Sequence, residues 1–170
     1  MRKLVLVSAL ALVAASCSRE AAPTSIDYTP QQKNELAVLD KAEELVGAMY
    51  RQDFGKVWDM MTPWNKHDAT REGVTREVYA GKVGNFMDTG QIRMTDYDSS
   101  EIVVIGDKYA ITQAELTYQF TEGGQTQSMT DCERTLWLEF PEGWFWHQTS
   151  LVCEYMPSAE EIERLTRNLK

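Results

Sequence analysis

DCERTLWLEFPEGWFWHQTSLVCE, residues 131–154, sets two β-rich runs on either side of a Pro141-Glu142-Gly143 break. Cys132 and Cys153 stand near its two ends, with Trp137, Trp144 and Trp146 between them. β-Branched and aromatic residues bounded by a turn signal read as a hairpin. A two-residue turn at Glu142-Gly143 puts Cys132 directly opposite Cys153, as does a four-residue loop from Pro141 to Trp144, whereas a three-residue loop separates them. The first register gives Cα atoms about 4.5 Å apart and the second about 5.5 Å, and both can be bridged. Two buried free thiols are the alternative to a Cys132–Cys153 disulfide, and a redox-active pair would ordinarily use CxxC spacing.

Working outward, the chain from Gln91 to Glu154 reads as five strands, 91–97, 101–105, 108–121, 126–140 and 144–154. They are joined at Ser99-Ser100, Gly106-Asp107, Gly123-Gly124 and Glu142-Gly143. Connectors this short force antiparallel neighbours, so the sheet is a meander. Extending the pairing sorts the side chains onto two faces. One carries Ile102, Val104, Tyr109, Ile111, Leu136, Leu138, Phe140, Phe145, His147 and Leu151, with Gln113, Glu115 and Arg134 toward the disulfide end. It is expected to lie under the helices. The other carries Val103, Ala110, Trp137, Trp144 and Trp146, and is expected to look outward.

Before the sheet come three helices. Thr29-Pro30 with Gln32 forms a capping-box start for the first, whose apolar positions are Leu36, Leu39, Ala42, Val46 and Met49. Asp53 caps a short second helix that stops at Pro63, followed by a polar loop containing His67 and Asp68. Thr75 caps the third, with Val78, Tyr79, Val83, Phe86 and Met87 as its stripe and Gly90 past its end. After the sheet, Ser158 and Glu161 mark the start of a last helix with Ile162, Leu165 and Leu169 on one side.

At the N-terminus, Met1-Arg2-Lys3 precedes an apolar run, Leu4–Val13, too short to span a bilayer and expected as an export signal. Two processing routes stay open. Cleavage after Ala14-Ala15-Ser16 would release a soluble periplasmic protein. The same residues ending at Cys17 resemble a bacterial lipobox, which would lipidate Cys17 and resolve the odd cysteine among three. Acyl chains at about 0.8 kcal/mol per buried methylene hold such a protein on a membrane, and Ser18 after the cysteine points to the outer one. The expected organisation is a signal peptide at 1–16, lipidated cysteine and tether at 17–29, one α+β domain at 30–155 and a C-terminal helix at 156–170.

Seventeen basic residues against 26 acidic ones give a net charge of −9. No basic stripe offsets this, which argues against nucleic acid as a partner. Two well-separated histidines give no metal spacing, and no phosphate loop, dinucleotide fingerprint or nucleophile elbow occurs, so no cofactor is expected.

The helix end AMYRQDFGKVWDMMTP, the later helix TREVYAGKVGNFM and the long strands closing on GWFWHQTSLV together resemble the nuclear-transport-factor-two-like superfamily, also called cystatin-like or cone folds. The resemblance covers roughly residues 30–155 and includes no diagnostic motif. A short strand that such folds often place between the second and third helices is not evident, and the C-terminal helix is additional. The resemblance implies helices packed on a strongly curved antiparallel sheet, a cone whose open end can hold a small molecule, and an outer face that can form dimers.

On this frame the expected pocket residues are Gln113, Arg134, His147, Leu138 and Tyr109, with an Arg134–Glu115 ion pair at the mouth. Trp137, Trp144 and Trp146 would form an interface for a homodimer or an envelope protein. The leading expectation is a lipid-anchored binding domain for a small apolar ligand or a protein. The alternative is an isomerase- or dehydratase-like enzyme using His147 with Glu115 or Tyr79.

Overall fold

In the computed structural model, residues 27–153, 156–167 and 169 are described, with the backbone alone for residues 148–152. The expected export signal, Cys17 and most of the expected tether lie outside these residues. The helices are α1 (Pro30–Tyr50), α2 (Phe54–Asp59), α3 (Pro63–Arg71), α4 (Arg76–Thr89) and α5 (Ala159–Thr166), and the strands are β1 (Arg93–Tyr97), β2 (Glu101–Ile105), β3 (Tyr109–Glu122), β4 (Gln125–Phe140) and β5 (Gly143–Val152). The architecture is α+β, an open five-stranded antiparallel sheet with helices before it and one after.

Local chemistry sets the helix starts. Thr29 and Gln32 complete a reciprocal capping box, while Asp53, Thr75 and Ser158 each accept a backbone N–H in the first turn that follows. These side chains satisfy donors that a helix start otherwise leaves orphaned. The segment after Pro63 corrects the expected polar loop. Thr62 caps it, Pro63 supplies the preset φ of the first turn, and His67 and Asp68 lie exposed on α3.

Strand β3 is the spine of the sheet. On one edge it pairs with β2 over Ala110–Gln113 and with β1 over Leu116–Gln119, so these two short strands follow one another along it. On its other edge it pairs with β4 over its whole length, closed by Gly123 and Gly124 at φ 59° and 79°, the left-handed conformation that a two-residue hairpin turn requires. Strand β5 completes the sheet. Its free edge is partly covered by the α2–α3 link, where Trp146 donates to Met60 O at 3.0 Å and Thr62 donates to Trp146 O at 2.9 Å. This contact is an isolated parallel bridge between Met61 and Trp146.

The β4–β5 hairpin turns one residue earlier than expected. Phe140 pairs with Gly143 across Pro141-Glu142, so His147 faces Leu136 rather than Leu138. A register shift between Leu136↔His147 and Arg134↔Leu151 then adds two residues on β5. Cys132 and Cys153 still meet in a disulfide, with Cα atoms 5.7 Å apart.

The two faces are reversed relative to the sequence reading. Helices α1 and α2 pack on the tryptophan face, where Val38, Ala42, Leu45, Ala48, Phe54 and Val57 form one core with Ala110, Trp137 and Trp144. Trp137 is 0% exposed and Trp144 6%. Small residues explain the fit: Ala42 and Ala48 on α1 and Ala110 on β3 leave room in this core for the indole rings. Each indole N–H also finds an acceptor, Trp137 on Thr112 Oγ1 at 2.8 Å, Trp144 on Asn34 Oδ1 at 3.2 Å and Trp146 on Val57 O at 3.0 Å. A buried indole needs such a partner. Within α1, Val38 and Leu45 join the expected Ala42 and Val46 in the core, while Leu36 is exposed.

The face expected to look inward is instead the convex one. Near the hairpin it is closed by the C-terminal segment, with Leu165 and Leu169 against Ile111, Leu136 and Leu138, and by Trp64 of α3. Lys108 fixes that segment by donating to Leu169 O at 3.1 Å.

Candidate functional site

Between α1, α2, α4 and the concave face of the sheet lies a cleft of about 260 Å³. Leu45 and Met49 come from α1, Phe54 and Val57 from α2, Tyr79 and Val83 from α4, and Glu133, Arg134, Thr135 and Trp146 from the sheet. Its walls are mostly apolar because they are the end of the core that the helices do not close. The placement of α4 is fixed by a bidentate pair, Arg76 Nε to Asp59 Oδ1 and Arg76 Nη2 to Asp59 Oδ2, each 2.9 Å, and by the Tyr79 ring tilted at 46° against Trp58, with centroids 5.4 Å apart.

Glu133 is the polar group that sets the chemistry of this cleft. It pairs with Ala114 in the sheet, and Ala114 packs against Val46 of α1, which places Glu133 on the concave side. Tyr118 Oη donates to Glu133 Oε1 at 3.1 Å. Burial pushes the Glu133 carboxyl above the ordinary glutamate range; the Tyr118 hydrogen bond opposes this and the charge of Asp131 adds to it. The Tyr118 hydroxyl is pushed up as well, first by burial and then by the neighbouring carboxylate. A smaller void of about 20 Å³ shares Leu45, Met49, Glu133 and Thr135 with the cleft and reaches Ser100, Thr112 and Trp137. Tyr79 is also raised by burial alone.

A carboxyl held in this way has two chemical capacities. Protonated, it donates a hydrogen bond to a ligand oxygen; ionised, it accepts one from a ligand O–H or N–H. The apolar walls strengthen either interaction by excluding water.

The residues expected to carry function divide between the two faces. Tyr79 lines the cleft, and Arg134 borders it. Arg134 Nε donates to Gln113 Oε1 at 3.0 Å, and Gln113 Nε2 donates to Glu101 Oε1 at 3.2 Å. Glu115 is exposed on the same face as Gln113, so the polar band expected inside the cone is on its convex side. Leu138 and Tyr109 pack in the cluster beneath the C-terminal segment and do not line the cleft. His147 lies on that face too, opposite Leu136, with Nδ1 buried and without a hydrogen-bond partner. Burial lowers its pKa, and Glu161 of α5 opposes this.

Of the two pairs expected, His147 with Tyr79 is not assembled, because the sheet lies between them, whereas His147 and Glu115 share the convex face. Trp137 and Trp144 are core residues, and Trp146 lines the cleft, so they form no outward patch. The residue missed from sequence is Glu133. Its signal was present: it is two residues before Thr135 and four before Trp137, so it shares their face, and once that face is known to be concave a carboxylate there stands out.

No family model matches the chain, and no curated protein matches it. The resemblance read from the sequence recurs as similarity of fold to solved structures. A dehydratase candidate of the NTF2-like family from Streptomyces avermitilis is 14% identical, with 68% of this chain and 94% of that one covered and a TM-score of 0.47. An NTF2-like protein with a cystatin-like fold from Novosphingobium aromaticivorans is 12% identical, with 82% and 98% covered and a TM-score of 0.45. An NTF2-like superfamily protein from Salmonella enterica is 11% identical, with 76% and 98% covered and a TM-score of 0.44.

Proposed function

We propose that this chain is a binding domain whose concave cleft takes up a small, largely apolar molecule carrying one polar group that meets Glu133. The observation that carries the reading is the position of Glu133, a half-buried carboxyl on the wall of an otherwise mostly apolar cleft. At about 260 Å³ the cleft falls just below the roughly 300–1,000 Å³ of common ligand pockets, which restricts it to small ligands. Separation of His147 from Tyr79 by the sheet weighs against an enzyme that pairs those two.

The domain acts outside the cytoplasm, held on the bacterial outer membrane by lipid on Cys17. The leader, the lipobox-like residues before Cys17 and the Cys132–Cys153 disulfide support this together, since structural disulfides persist in oxidising compartments. Metabolic labelling with palmitate tests the anchor: the chain incorporates label, and Cys17→Ala abolishes it. An unlabelled native chain overturns the anchor and leaves the soluble periplasmic form.

The cleft is tested with indole as a probe. Saturation-transfer NMR shows indole bound to the native protein, and Val83→Trp, which fills the cleft from α4, removes the signal. Val103→Trp, on exposed β2, leaves it. Binding that survives Val83→Trp contradicts the assignment.

A further inference from the structure

The far end of the β3–β4 hairpin extends beyond the rest of the sheet. Strand β1 reaches β3 only as far as Gln119, and β5 last pairs with β4 at Glu133. Beside β4 from Gln125 to Met129, no strand lies among the described residues, although β3 holds the other edge of the same segment in continuous register. These residues are exposed. Their outward N–H and C=O groups form an accessible strand edge.

Proteins ordinarily blunt such an edge with lysine, proline, a bulge or a covering loop. This one has none of these side chains: residues 123–130 read GGQTQSMT, with neither charge nor proline. The absence of charge is unusual in a chain of net charge −9. For two copies of so acidic a protein, most surface pairings bring like charges together, and a neutral edge is where the repulsion is least.

We infer that this edge pairs with the same edge of a second copy, β4 against β4, antiparallel about a two-fold axis at Gln127. In that register Gln127 faces itself, Thr126 faces Ser128 and Gln125 faces Met129. Asp131 falls opposite Gly123, so no carboxylate meets another. An antiparallel strand pair is inherently self-complementary, which suits a two-fold dimer. The contact is short and buries less than the ~1,000 Å² that a stable interface clears. The dimer is therefore a reversible one, in exchange with the monomer. Its place differs from the tryptophan face, which is filled by α1 and α2.

The test is sedimentation equilibrium of the full chain in density-matched detergent. The native protein shows a monomer–dimer equilibrium. Gln127→Lys and Gln127→Glu each place two like charges across the two-fold and raise the dissociation constant by about fivefold or more. Mixed in equal amounts, the two variants recover dimer, an outcome that misfolding of either cannot produce. A native chain that stays monomeric at every attainable concentration overturns the inference. So does a dimer indifferent to charge at position 127, which would assign the contact to another surface.

Discussion

Tyr118 on β3 and Glu133 on β4 reach each other diagonally on the concave side of the sheet, with Oη donating to Oε1 at 3.1 Å, although the register sets Tyr118 opposite Met129 and Glu133 opposite Ala114. This is a hydrogen bond from a raised hydroxyl to a raised carboxyl, and it favours the ionised form of Glu133 against the effect of burial. Because the folded-state pKa of Glu133 lies above its unfolded value, the folded protein holds more protons between the two. Stability therefore falls as pH rises from the ordinary glutamate range, near 4.3, through the raised folded value. Urea denaturation across this window shows the decline in the native protein and a smaller one in Glu133→Gln. An unchanged pH dependence in the variant contradicts the burial of Glu133.

His147 gives the opposite slope. Its folded pKa is depressed by burial, so its contribution is present above about pH 6.5 and is lost as pH falls through the lower folded value. Replacing it by Gln flattens the acid side of the stability profile, as measured by denaturation at successive pH values.

The disulfide closes a loop across a sequence separation of 21 residues. In the chain-entropy account, removing it costs about 3 kcal/mol. Chemical denaturation of the Cys132→Ser, Cys153→Ser double variant, compared with the oxidised native chain, measures this. Equal midpoints would mean that the bond does not form in solution.

The reversal of the faces predicts unequal costs for two aromatic truncations. Trp137, fully buried against Ala110 and α1, loses about 3–5 kcal/mol on replacement by Ala. Phe86, 65% exposed on α4, loses no more than about 0.5 kcal/mol. Comparable costs for the two would return the tryptophans to the surface.

Much of the fold is legible in the sequence because its signals are local. Thr29, Asp53, Thr75 and Ser158 announce helix starts through side-chain chemistry, and Gly123-Gly124 announces a hairpin. Cys132 and Cys153 fix the end of the β4–β5 pairing even though Pro141-Glu142, and not Glu142-Gly143, makes the turn. The choice of face is not local. Residues Leu136, Trp137 and Leu138 are consecutive and all buried, because α1 and α2 cover one face there and the C-terminal segment covers the other. Alternation between apolar and polar loses its meaning in a strand buried on both sides. Farther along, the polar Gln113 and Glu115 carried the better clue: they belong on the convex side, and with them the site moves to the opposite face, where Glu133 stands.

The central claim is that Glu133 lines a cleft that a small apolar molecule can enter. Carbon-13 NMR of the labelled Glu133 carboxyl, recorded over a pH titration without and with indole, tests it most directly. The account predicts a titration midpoint above the ordinary glutamate range and a further change in that resonance on adding indole, while the exposed Glu115 carboxyl does not respond to indole. A Glu133 midpoint in the ordinary range, with no response to indole, would contradict it.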